Sequence, residues 1–368
     1  MLALAASVAA LLLVLPGAGG SSHKGAPTGG APPTRGSGVA VPSSPAKLLG
    51  QRIMVGMSGT YPDSELLRSV REGHVGAVIL FAANIVNRQQ VVALTSALQH
   101  AARQGGNPPL LIAVDQEGGQ VKRFSDGPPD KSPPEMAATG DPSVAYREGR
   151  ATGRFLKARG VNMDLAPVLD VPTSSNSFIW QEGRAFSFDA GTVARFGTQF
   201  ALGVQSAHVA ATGKHFPGVG SATTDTDYQR EELHPTKAQQ RAPLKPYQSL
   251  IGRGLDAIML STAGFPAYDR SGTVTALSRT IDQGLLRHKL GFGGVTITDA
   301  LGSPTGHDEI TAGVIAASTG ADILLYTDSA PGELGALERA LRDGRISRDA
   351  AATSYKRIVA LKRQVAGG

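Results

Sequence analysis

Eight short, almost wholly apolar runs recur along this chain, each followed by a helical pattern or a long loop. They cover residues 53–57, 77–81, 110–114, 163–168, 209–212, 257–260, 295–298 and 321–326. Runs with no polar face fit strands of a parallel sheet that is covered on both sides. Amphipathic stretches lie between them at 88–103, 143–159, 193–206, 280–290 and 310–319, and two more at 331–342 and 350–365 close the body. Eight such units predict a (β/α)₈ barrel, closed on itself and forming a single α/β domain. The competing arrangement is an open doubly wound sheet, but the glycine fingerprint expected after its first strand is missing.

The barrel is expected over 48–368. Residues 2–15 form an Ala/Leu-rich run of 14, followed by Pro16-Gly17-Ala18-Gly19-Gly20. That is too short for a comfortable membrane span and fits a secretory signal or leader over 1–20. From 21 to 47 the chain is rich in Gly, Pro and Ser, and too poor in large apolar residues to offset its ordering entropy, so a disordered linker is expected. There is no Cys, which excludes disulfides and a lipid-modified Cys behind the leader. A secreted or cell-envelope location is expected, with no membrane association beyond the leader. The net charge is +6, yet Lys and Arg are scattered and no basic run carries interleaved aromatics. Nucleic acid is therefore not an expected partner, and the basic surface suits anionic envelope material. A monomer is expected.

Chemistry gathers where the strands end. The third run leads into Asp115-Gln116-Glu117-Gly118-Gly119, the fourth into Asp170, and the seventh into Asp299. The fifth delivers Lys214-His215 before Pro217, Gly218 and Gly220 break it, and the loop beyond carries Asp225 and Asp227. In a barrel these ends share the rim where active sites are built. A carboxylate set directly after an apolar strand costs desolvation unless it has partners, so the repeated placement points to a polar site. Alone, one such Asp reads as a helix cap, as Asp141 before Pro142 does, and a structural His at a loop mouth fits Lys214-His215 equally well. Phe178 and Trp180, before Gly183-Arg184, suit either a sugar-stacking platform or core packing. No metal-ligand spacing, phosphate loop or Gly-x-Ser-x-Gly elbow is present, and neither metal nor cofactor is expected.

Several of these segments resemble, in order, the motifs of family 3 glycoside hydrolases, specifically their single-domain β-N-acetylglucosaminidase branch. Asp115-Gln116-Glu117-Gly118-Gly119-Gln120-Val121-Lys122-Arg123 is similar to the family's DQEGGxVxR. Asn162 to Val171, Gly183-Arg184-Ala185-Phe186, Lys214-His215-Phe216-Pro217-Gly218, the segment from Leu285 to Leu301 and Gly320-Ala321-Asp322-Ile323-Leu324-Leu325 follow. The resemblance implies a (β/α)₈ barrel that hydrolyses terminal β-linked N-acetylglucosamine with retention, using a carboxylate nucleophile and an acid for the leaving oxygen. By position it implies Asp299 as nucleophile, kept ionised by cations such as Lys214, and Asp115, Arg123, Arg184, Lys214 and His215 as substrate-binding residues.

The chain departs from that branch at the acid. The branch uses a His in an Asp-Ser-His triplet; here the triplet reads Asp225-Thr226-Asp227. Val219 stands where the family's KHFPGHG has its second His, Leu260-Ser261-Thr262 replaces Thr-Ala-His, and Gly302-Ser303 replaces Asn-Met behind the nucleophile. Three readings follow. Asp227 is the acid, its pKa raised by neighbouring Asp225; another group such as His234, Glu231, Glu232 or His307 serves; or the barrel has lost hydrolysis and binds sugar.

Overall fold

The computed structural model describes residues 38–236, 239, 241–327 and 332–367. The expected leader and most of the expected linker lie outside them. Ten strands are present among the described residues: β1 (Ile53–Val55), β2 (Ala77–Leu80), β3 (Leu111–Val114), β4 (Gln116–Gly118), β5 (Val121–Lys122), β6 (Met163–Asp164), β7 (Ala210–Phe216), β8 (Ala257–Leu260), β9 (Val295–Thr298) and β10 (Leu324–Tyr326). Eight run parallel in the order β10-β1-β2-β3-β6-β7-β8-β9. A parallel bridge from Ile297 to Ile323 joins β9 to β10 and closes the ring, giving the expected (β/α)₈ barrel. The remaining pair, β4 and β5, is an antiparallel hairpin.

Alternation along the strands sorts the side chains. Met54, Ala77, Ile79, Leu111, Ala113, Met163, Leu165, Ala210, Ala257, Met259, Val295 and Ile297 form one buried cluster, the barrel interior. Their neighbours, such as Val78, Ile112, Val114, Ala211 and Ile258, belong to a second cluster beneath the helices. The strands are therefore buried on both faces, which is why most of them, such as β2 and β3, read as unbroken apolar runs. The final helix, Arg348–Ala366, adds Ile358, Leu361 and Val365 to the interior cluster. It also anchors Lys362, whose ammonium donates to Gln51 Oε1 at 2.5 Å and to the Gly76 carbonyl at 2.7 Å. Gln51 and Gly76 precede β1 and β2, so this helix covers the N-terminal end of the barrel and leaves the opposite end for chemistry.

Three boundaries differ from expectation in ways that matter. Helix Pro45–Gly50 starts ahead of residue 48, and Val39 already packs into the core. The run at 163–168 forms only two strand residues, although Val168 still bridges to Lys214. Conversely β7 continues through Lys214, His215 and Phe216, all buried. The charged residues of this strand are accommodated because the carboxylates of Asp115, Glu117 and Asp170 meet them. The stretch at 280–290 is a π-helix, Thr280–Lys289. Helices Ser64–Glu72 and Arg241–Ile251 had no expectation; the first is capped by Asp63 Oδ1 at 2.7 Å from the Leu66 amide, and the second carries Pro246.

Candidate active site

A cavity of about 940 Å³ opens at the C-terminal end of the barrel. Asp115, Arg123, Arg184, Lys214, His215, Asp225, Asp227 and Asp299 all line it, so the eight residues to which the resemblance gives catalytic or binding roles are brought together. Glu182, Tyr228, Ser303 and Glu309 line it as well.

The floor is an ion network. Lys214, at 2 % exposure, places its ammonium 2.6 Å from Asp115 Oδ1 and 2.7 Å from Glu117 Oε1. Glu117 is also gripped by Arg184, with Nε at 2.8 Å from Oε2 and Nη2 at 2.9 Å from Oε1. Two-point contact of this kind fixes the guanidinium plane. Burial pushes the Glu117 carboxyl up, but Arg184 and Lys214 outweigh it and hold it down at about 2. For Asp115 burial is likewise the largest influence, overcome by Lys214 and Arg123, so its pKa falls below the usual carboxylate range. Burial alone lowers the Lys214 pKa; Asp115 and Glu117 reverse this and raise it. Arg123 reaches Asp115 Oδ2 at 3.4 Å, and Arg184 meets Glu182 at 3.2 Å. Lys214 is thus committed to Asp115 and Glu117.

His215 is oriented by Asp170, whose Oδ2 lies 2.7 Å from Nδ1. Burial lowers the imidazole pKa, and Asp170 more than offsets this, so the net direction is up. Arg184 Nη2 stands 3.4 Å from Nε2, a contact that suits a neutral acceptor nitrogen and opposes the charging that Asp170 promotes; the shorter ion pair is the stronger influence. Asp170 Oδ1 also accepts the Val219 amide at 2.8 Å, pinning the start of the following loop.

Asp299 closes β9 at 8 % exposure, with Oδ1 accepting the Ala300 amide at 2.9 Å. Asp227 stands at the mouth. The charge of Asp299, then burial, then Asp225 lift its carboxyl to about 7, against His215 and Arg184. The residue as a whole is exposed, so the charges of Asp299 and Asp225 carry the upward shift more than burial does. Asp225 was expected to be the source of the shift, but Asp299 is the larger one. Asp225 instead accepts the Asp227 amide at 2.9 Å.

The other acids considered do not line this cavity. Glu231, Glu232 and His234 border a separate cavity of about 390 Å³, and His307 is exposed. Phe178 is buried, while Trp180 packs on Phe188 with ring centres 4.2 Å apart, outside the cavity lining. Glu117 and Asp170 carry the binding floor, yet were not assigned roles from the sequence. Their signal was present: Glu117 stands two residues beyond Asp115, and Asp170 follows an apolar run.

A closed eight-stranded barrel with a charged cavity at the C-terminal ends of its strands is the arrangement in which enzymes of the (β/α)₈ class build their active sites. The model of the glycosyl hydrolase family 3 N terminal domain matches residues 47–361. A protein of Arthroderma benhamiae named an uncharacterized secreted glycosyl hydrolase is 34% identical over 329 residues, covering 85% of this chain and 92% of that protein. Among solved structures, a family 3 β-N-acetylglucosaminidase from Paenibacillus is 34% identical with a TM-score of 0.82; the match covers 87% of this chain but 62% of that longer one. A β-N-acetylhexosaminidase from Beutenbergia cavernae is 29% identical with a TM-score of 0.80, covering 88% of this chain and 99% of that chain. The chain belongs to glycoside hydrolase family 3.

Proposed function

We propose that this barrel removes terminal β-linked N-acetylglucosamine from cell-wall or chitin-type glycans, with retention at the anomeric carbon. The reading rests on one observation above others: Asp299 and Asp227 line the same cavity, where the charge on Asp299 raises the pKa of the Asp227 carboxyl. The Asp299 carboxylate attacks the anomeric carbon while Asp227 gives its proton to the departing glycosidic oxygen. In the second half, Asp227 in its charged form takes a proton from water, which attacks the same carbon and releases Asp299. Asp115, Arg123, Arg184, Lys214 and His215 hold sugar hydroxyls, for which charged partners make the stronger hydrogen bonds.

The N-acetyl preference draws on the Paenibacillus and Beutenbergia relatives. A secreted or cell-envelope site of action draws on the apolar run at 2–15 and on the Arthroderma relative. Among the described residues no helix is long and apolar enough to cross a membrane. The alternative of a barrel that only binds sugar has no feature of the site in its favour.

The test uses purified protein with an aryl β-N-acetylglucosaminide and with chitobiose or a muropeptide. Turnover that disappears in Asp299→Ala, with the β-anomer seen first by NMR, is the expected result. Calorimetric sugar binding without turnover of any of these substrates would overturn it.

A further inference from the structure

Two positions at which this chain departs from its family's pattern touch each other. Ser303 Oγ donates to Asp227 Oδ1 at 3.2 Å, across 76 residues of sequence. Asp227 replaces a His and lies on the loop after β7; Ser303 lies on the loop after β9, four residues past Asp299. Ser303 is 6 % exposed, so its hydroxyl is held at the cavity wall and is not a solvated surface group. A third departure supports the same loop: Thr262 donates its hydroxyl to the Thr226 carbonyl at 3.1 Å, and both residues are buried.

We propose that Ser303 is a positioning residue for the general acid, fixing which oxygen of Asp227 carries the proton. The proposal rests on Asp227 being that acid. A neutral carboxyl has one O–H donor and one carbonyl-type acceptor oxygen. Donation from Ser303 makes Oδ1 the acceptor and leaves the proton on Oδ2. As the anomeric C–O bond breaks and Asp299 bonds to the anomeric carbon, that proton passes to the glycosidic oxygen and Asp227 becomes a carboxylate. The Ser303 hydroxyl then faces a charged acceptor, and hydrogen bonds to ions are the stronger ones. The contact therefore gains strength along the reaction, which is the condition for it to speed the step. Four charged groups act on the same carboxyl: Asp299 and Asp225 favour its proton, His215 and Arg184 oppose it. Ser303 works with the last two, so its removal shifts the acid's titration upward.

The experiment measures kcat/KM against pH on chitobiose and on an activated aryl β-N-acetylglucosaminide, whose leaving group needs little protonation. Ser303→Ala is expected to lose about tenfold on chitobiose, to change little on the aryl substrate, and to move the alkaline limb to higher pH. Ser303→Thr, which keeps the hydroxyl, is expected to restore most of the chitobiose activity. Equal losses on both substrates with an unmoved alkaline limb overturn the proposal and leave Ser303 a structural residue. Asp227→Ala is run beside them to separate the two ideas. If its losses are also equal on the two substrates, the acid assignment fails and the Ser303 role falls with it. If they are unequal while those of Ser303→Ala are equal, only the Ser303 role fails.

Discussion

The charge of Asp299 is the foremost cause that lifts the Asp227 carboxyl to about 7. The two residues come from loops after different strands, β7 and β9, and share the mouth of one cavity. Each needs the other's state: a charged Asp299 keeps the proton on Asp227, and a carboxylate attacks only in its charged form. In the proposed mechanism this pair of carboxylates divides into donor and nucleophile without a histidine.

Removal of Asp227 should be felt unevenly. Asp227→Ala is expected to lose about 10²–10⁴ in kcat/KM on chitobiose, with a far smaller loss on an aryl glycoside that carries a good leaving group. Because the donor must be protonated, wild-type activity on chitobiose should fall as pH rises through about 7. The aryl substrate should show a much weaker alkaline decline. Parallel profiles for the two substrates would rule out Asp227 as the acid.

Glu117 should matter for stability as well as for binding. It neutralises Arg184 and Lys214 together, and Glu117→Gln leaves two buried cations short of charge. A loss of about 3 kcal/mol is expected from urea unfolding at pH 7. The folded pKa of Glu117, about 2, lies below the ordinary value of 4.5 for a glutamate. Its contribution is therefore complete above the unfolded value and is lost as pH falls from there through about 2. Wild type should lose stability more steeply than Glu117→Gln across that acid window.

Asp170 orients His215 and favours its charged form. In Asp170→Asn the burial that lowers the imidazole pKa is no longer outweighed, so His215 should titrate at lower pH, measurable by NMR of labelled histidine. Sugar binding should weaken, with KM raised about tenfold. An unchanged titration would show that Asp170 serves only the backbone amides of His215 and Val219.

Lys362 offers a test far from the chemistry. Burial lowers its ammonium pKa from 10.5 to about 7, and its named partners are Gln51 and the Gly76 carbonyl, both neutral. Between those two values the unfolded chain binds the extra proton, so stability should rise with pH across that window. Lys362→Met should remove this rise, by roughly 1–3 kcal/mol between pH 7 and pH 10. Equal slopes for the two proteins would show that Lys362 stays charged when folded.

Much of the fold was legible because parallel strands buried on both faces leave an unmistakable trace: the interior residues Ile79 and Ala113 and their outward neighbours Val78, Leu80, Ile112 and Val114 are all apolar. Asp115 and Asp299 were legible as site residues because each directly ends such a run. The extent of β7 was not. Lys214 and His215 look like loop residues until Asp115, Glu117 and Asp170 are placed against them. Nor does local pattern distinguish the π-helix Thr280–Lys289 from an α-helix.

The sequence by itself determined the barrel, the rim on which chemistry gathers and the family to which the chain belongs, since these follow from local periodicity and from motifs in order. Only the tertiary structure decided who partners whom. Lys214 reaches Asp115 across 99 residues, His215 reaches Asp170 across 45, and Ser303 reaches Asp227 across 76. Charge states depend on such neighbours and on burial, and both exist only once the ring of strands has closed.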